Sequence, residues 1–241
     1  MSETAIVIGV GAEKGLGATL CRRFAKLGLH IFVAGRTPEK IERVVDSIRA
    51  EGGHAMAVQA DATSEQSVIE LFKKAEATGP VDLAVYNAGN NMPGSLLEME
   101  AEFFERCWRV GCFGGFLFGR EAARTMLPRN RGTLIFTGAS ASMRGKPFFS
   151  AFTAAKGGLR NFAQSMAREF APQGIHVGHV VVDGGIAGDR IEKGMPKFAE
   201  AQGEGGLVDL DGIAAIYEML YRQPKAAWSH EIDVRTHKEK F

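Results

Sequence analysis

Short apolar runs rich in β-branched residues alternate with longer amphipathic stretches along almost the whole chain. No other feature restricts the fold as much. The pattern predicts strands over 4–9, 30–34, 54–59, 81–86, 133–137, 175–182 and 231–235. Between the first two, Leu16, Leu20, Phe24 and Leu27 recur at helical spacing. Helices are predicted over 16–27, 38–50, 64–78, 151–171 and 209–223, with two further helical stretches inside 99–126. Thr37 is the expected N-cap of the second helix and Pro38 its first residue. Strands that are apolar almost throughout need cover on both faces, which a parallel sheet with crossover helices supplies. The stretch 184–206 follows neither period. Its glycines, charges and Met195-Pro196 fit either a mobile lid over a substrate or a disordered surface loop.

The 241 residues suit one such sheet as a single domain, 1–241, with a core that needs no metal or disulfide. Hydrophobic residues make up 45% and charged residues 24%, and the net charge is +1, so neither nucleic acid nor an anionic membrane is an expected partner. Cys21, Cys107 and Cys112 are odd in number and form no Cys-x-x-Cys pair, which points to buried, reduced thiols. The first residues lack the basic flank and length of a signal peptide, and no run approaches the ~20 apolar residues that span a bilayer. A cytoplasmic protein is expected.

The first predicted strand runs into Gly9-Val-Gly11-Ala-Glu-Lys14-Gly15-Leu-Gly17. Glycines between a strand and a helix let the backbone approach a pyrophosphate, and the helix start offers free amides and a favourable dipole. Here the chain resembles the short-chain dehydrogenase/reductase family. Its spacing Gly-x-x-x-Gly-x-Gly is matched by Gly11, Gly15 and Gly17, although Val10 stands where the family usually has Thr. Asn87-Ala88-Gly89 resembles its Asn-Ala-Gly motif, 132–142 its serine-bearing strand and loop, and Phe152-x-x-x-Lys156 its Tyr-x-x-x-Lys. The resemblance implies a Rossmann-type, doubly wound α/β fold: a seven-stranded, mostly parallel sheet with helices on both faces. It implies cofactor contacts at Gly11, Lys14, Gly15, Leu16, Gly17, Asn87, Ala88, Gly89, Lys156, Gly184 and Ile186. It places Asp61 and Ala62 beside the adenine; Asp61 alternatively reads as a residue of the next helix's N-cap. It also implies a homo-oligomer, dimer or tetramer, built through the helices in 99–126 and 151–171.

NAD-binding chains of this fold tend to place a carboxylate after the second strand, on the ribose 2′-hydroxyl. This chain has Gly35-Arg36 there and no carboxylate before Glu39. A guanidinium suits a 2′-phosphate by charge and fork geometry. Lys14 adds a second positive charge near the same place. The expected cofactor is NADP(H), against the plainer reading of two solvated surface cations.

In the family a Tyr exchanges a proton with the substrate oxygen. A Lys four residues on lowers that Tyr's pKa and holds the nicotinamide ribose, a Ser orients the oxygen, and an Asn supports a relay water. Here Lys156 and Ser140 take two of these positions, with Ser142 as the nearby alternative. Phe152 stands for the Tyr and Gly111 for the Asn. A phenyl ring exchanges no proton, and a lost general acid costs ~10²–10⁴ in rate. Thr153 lies about 100° round the helix and should face elsewhere. Tyr86 reads as core. Asp183, where the family usually has Pro, is either a site acid or a turn cap. His176 and His179 fall on opposite faces of a strand, which argues against a metal pair. Phe148, Phe149 and Phe152 either line an apolar pocket or pack as core. Two functions remain open. One is an NADP(H)-dependent reductase of a carbonyl or polarised C=C bond of a small molecule, with altered proton delivery. The other is a catalytically silent NADP(H)-binding sensor or subunit.

Overall fold

Seven strands form one sheet in the order β3-β2-β1-β4-β5-β6-β7. They are β1 (Thr4–Ile8), β2 (His30–Gly35), β3 (Ala55–Gln59), β4 (Val81–Tyr86), β5 (Gly132–Ala139), β6 (Ile175–Asp183) and β7 (Glu231–Arg235). The structure is a computed structural model that describes residues 2–89 and 91–239; the outermost residues of the expected 1–241 domain lie outside these. Every ladder is parallel, so the sheet is parallel throughout rather than mostly so.

Nine α-helices lie among the described residues: α1 (Leu16–Lys26), α2 (Pro38–Ala50), α3 (Glu65–Thr78), α4 (Ala101–Trp108), α5 (Gly114–Met126), α6 (Ser150–Phe170), α7 (Asp189–Glu192), α8 (Pro196–Gln202) and α9 (Leu210–Arg222). Helices α1, α2 and α9 bury their apolar faces in one core with Val7, Val33 and Val180. Helices α3, α5 and α6 form the other core with Ile6, Phe32 and Phe136. The two cores are the two faces of one sheet, because successive side chains on a strand point opposite ways. Strand order reverses between β1 and β4, which opens a crevice at their carboxyl ends.

Thr37 is the N-cap of α2 by position, but its side chain makes no capping bond. The two helical stretches expected in 99–126 are α4 and α5, joined without a break by a wide π turn at Arg109–Phe113. Such a turn frees a carbonyl from the helical ladder. The Val110 carbonyl accepts instead from the Tyr86 hydroxyl at 2.6 Å, deep in the core. The unpatterned stretch 184–206 carries α7 and α8, too short to show a period. An isolated parallel bridge between Ile186 and Val208 ties it to the sheet side. No described helix is long and apolar enough to cross a membrane.

Candidate active site

The crevice is built first from backbone. Gly9 ends β1 with φ 90°. A Cβ on Gly9 would overlap the Ala88 amide, so the Asn87-Ala88-Gly89 loop can lie directly against the glycine turn. Asn87 fastens three strand ends together. Its Nδ2 donates to the Gly9 carbonyl at 3.2 Å, and its Oδ1 accepts from the Thr137 hydroxyl at 3.1 Å. A side chain on Gly17 would press on that same amide, at 3.1 Å from Asn87 Nδ2. Gly11 faces open space. Gly15 is the extended N-cap of α1 and no side chain caps the helix, so its first amides are left for an anionic ligand. These residues fit a dinucleotide's pyrophosphate.

The remaining predicted cofactor positions divide. Arg36 is exposed, and among the described residues no hydrogen bond or ion pair engages its guanidinium. Asp61 braces the turn after β3: its Oδ1 accepts from the amide and hydroxyl of Thr63, both at 2.8 Å. Asp61 lies in the N-cap region of α3: the N-cap is Ser64, whose amide donates to the Asp61 carbonyl at 3.1 Å. Ala62 and Leu16 are buried, and Ile186 packs on the core. Gly184 follows β6 with φ 140°. Lys14 does not stand free for a phosphate here. Its Nζ pairs with Glu192 of α7 at 2.6 Å, and its carbonyl accepts from the Asp189 amide at 2.8 Å. The start of the 184–206 stretch is therefore seated on the glycine turn.

The reactive end is built from side chains. Lys156 is 3% exposed on α6, and its Nζ donates to the Thr137 carbonyl at 2.7 Å. Burial lowers its pKa from 10.5 to about 8. The ammonium lies 6.0 Å from the centre of the Phe152 ring and close beside Gly89. Phe152 is itself buried. Ser142 braces the turn after β5, its Oγ accepting from the Ala139 amide at 3.1 Å. Ser140 is half-buried, and its hydroxyl is uncommitted among the described residues. Of the two serines it is the one left to meet a ligand.

Gly111 is buried in the π turn, and a Cβ there would stand 2.6 Å from Ala155 Cβ. Packing from α6 thus closes the space beside Gly111. Tyr86 is fully buried, its hydroxyl pushed up by desolvation and committed to Val110. Thr153 has a buried hydroxyl with no hydrogen-bond partner among the described residues. Phe148 is 65% exposed and Phe149 half-buried, so the three phenylalanines form no single cluster. His176 stacks on Trp228, whereas His179 bonds Glu231. No group among the described residues could hold a metal. A concavity of about 660 Å³ lies behind the glycine turn between α1 and α9 and meets this site near Lys14 and Ala187.

Sequence reasoning missed two features. Asp183 is neither a free acid nor a turn cap: at the end of β6 it is buried and paired with Arg144 and Arg235. Gly9, read only as part of a turn, is a point of close backbone approach, where a Cβ would stand 2.4 Å from the Ala88 amide nitrogen. Its signal was its place directly after the strand.

Fold and crevice together define a dinucleotide-binding α/β protein with a buried lysine at its reactive end. Residues 4–192 match the short chain dehydrogenase family, and the chain belongs to that family. It is similar to sorbitol-6-phosphate 2-dehydrogenase of Escherichia coli, with 33% identity over 207 residues, 84% of this chain and 79% of that enzyme. It is 30% identical over 174 residues to 2,3-dihydro-2,3-dihydroxybenzoate dehydrogenase of Bacillus subtilis, covering 72% of this chain and 67% of that one. A solved short-chain dehydrogenase from Rhodopseudomonas palustris superposes with a TM-score of 0.83 at 37% identity, over 97% of this chain and 98% of that chain. The chain is an oxidoreductase of this family.

Proposed function

We propose that the chain is an NADP(H)-dependent reductase of a carbonyl or polarised C=C bond in a small molecule. In this reading the proton-handling half of its site is rebuilt around Phe152 and Gly111. The observation that carries it is Lys156, an ammonium kept buried with the Thr137 carbonyl and the Phe152 ring as partners and no carboxylate paired with it among the described residues. Burying a cation without a counter-charge is destabilising. Its retention supports a working site over a silent one.

The amides of 11–17 would hold the pyrophosphate. Arg36, with no carboxylate partner among the described residues, would take the 2′-phosphate. Asn87-Ala88-Gly89 and Lys156 would face the nicotinamide ribose. The bound cofactor supplies the hydride. Ser140 orients the substrate oxygen, the charge of Lys156 stabilises the negative charge that grows there, and Phe152 excludes water. This arrangement suits reduction of a C=C bond conjugated to a carbonyl, where the oxygen needs stabilisation more than immediate protonation.

The same reading includes a homo-oligomer. Trp108 is 39% and Phe116 37% exposed, and they continue through Phe113 and Phe162 as one aromatic chain across α4–α6. Light scattering should find a dimer or tetramer.

NADPH oxidation over a panel of ketones and enones tests the reaction. The wild type should turn over at least one substrate, and Phe152→Tyr should raise carbonyl reduction by ~10²–10⁴. A wild type silent on every substrate, paired with an active Phe152→Tyr, would show a silent NADP(H) binder instead.

A further inference from the structure

At the mouth of the crevice stands a charged pair that the reading above does not use. Val182 of β6 pairs in register with Ala139 of β5, so the next residues, Asp183 and Ser140, emerge side by side. The Arg144 amide donates to the Ser140 carbonyl at 3.0 Å, which brings its side chain back over the same strand ends. Arg144 Nη2 lies 3.0 and 3.1 Å from the two oxygens of Asp183. Arg235 Nη1 approaches the same carboxylate at 3.6 Å.

The pair is lopsided in burial. The Asp183 side chain is 2% exposed and that of Arg144 45%. Burying a carboxylate costs several kcal/mol unless cations serve it. What the burial achieves is to fix a guanidinium by one nitrogen at the rim. Among the described residues, Nε and Nη1 of Arg144 make no hydrogen bond. The exposed loop around it carries Met143, at 49%, and Phe148, at 65%, together with a second cation, Lys146. Phe148 is held in the left-handed region at φ 69°, its carbonyl accepting from the Gly94 amide at 2.8 Å. A bulky residue in that region is strained and needs its surroundings to hold it there.

We infer that Arg144, braced by Asp183, recognises a carboxylate on the substrate, whose remaining body is apolar. The inference rests on the reading of this crevice as a reductase's and adds the substrate class. One guanidinium with open donors matches a single negative charge in a planar group.

The probes are 4-acetylbenzoate and 4-acetylbenzamide, which share a ketone and a ring and differ in charge. Their binding to the full chain is measured by ligand-observed NMR, with and without NADP+. The acid should bind about tenfold tighter than the amide. Arg144→Gln should abolish that preference and leave the amide's affinity unchanged. If Arg144→Gln does not fold, Arg144→Lys serves, and its acid preference should fall at least about threefold because a lysine lacks the fork. Equal affinities in the wild type, or an undiminished preference in the variant that folds, overturns the inference. The two readings fail separately. A preference for the acid without NADP+ binding removes the reductase and keeps the subsite; NADP+ binding without the preference does the reverse.

Discussion

The two halves of the crevice are made of different material. The cofactor half is backbone: a left-handed Gly9 with the Ala88 loop pressed against it, and a bare helix start at Gly15. The reactive half is side chains: Lys156, Ser140, Phe152 and the Arg144–Asp183 pair. A backbone site depends on close approach, so almost any larger residue damages it. A side-chain site can be altered one position at a time while the fold stands. That contrast agrees with the proposal of a glycine turn that fits a dinucleotide beside a proton-handling half rebuilt around Phe152 and Gly111.

Breaking the backbone half should have the largest effect. Gly9→Val forces a β-branched residue to φ 90° and into the Ala88 amide. We expect a loss of about 3–5 kcal/mol and a fall in Tm on the order of 10 °C, with NADPH binding abolished. A melting curve within a degree or two of wild type would mean that the turn is not close-packed.

The next effect tests whether the reactive half can be restored. Gly111→Asn places a Cβ 2.6 Å from that of Ala155. It should destabilise by about 1–3 kcal/mol, and Ala155→Gly in the same chain should recover most of that. Calorimetry showing Gly111→Asn to be neutral would indicate that the position is open and that packing did not close it.

The smallest effect has the opposite sign. Lys156 keeps a folded pKa of about 8 against the ordinary 10.5. The unfolded chain then binds more protons, so the penalty is fully present below about pH 8 and fades as pH rises towards 10.5. Lys156→Met removes that penalty and also the bond to Thr137. A net gain of about 1–2 kcal/mol is expected at pH 7, a few degrees in Tm, shrinking in alkaline buffer, while turnover is lost. Destabilisation at pH 7 would show that the lysine is held structurally.

The same contrast decides what could be read without a structure. Strand positions were legible to within about two residues because burial on both faces leaves a near-continuous apolar run: β4 is Val81–Tyr86, as predicted. The glycine turn was legible because its function is its composition. The π turn was not, since one added residue in a helix leaves the apolar period almost unchanged; only Gly111, Gly114 and Gly115 hinted at it. Lys14 was assigned by proximity in sequence, but Glu192, 178 residues away, decides where its ammonium lies. The Arg144–Asp183 pair escaped for the same reason, as a contact between two strand ends.

Dinucleotide binding is the property on which both halves of the crevice depend. Titration of the wild-type chain with NADPH and NADH, followed by nicotinamide fluorescence, should give NADPH a Kd about tenfold lower. Arg36→Glu should cancel that preference. Failure to bind either dinucleotide would contradict the intact cofactor half, and equal binding of both would contradict the role given to Arg36.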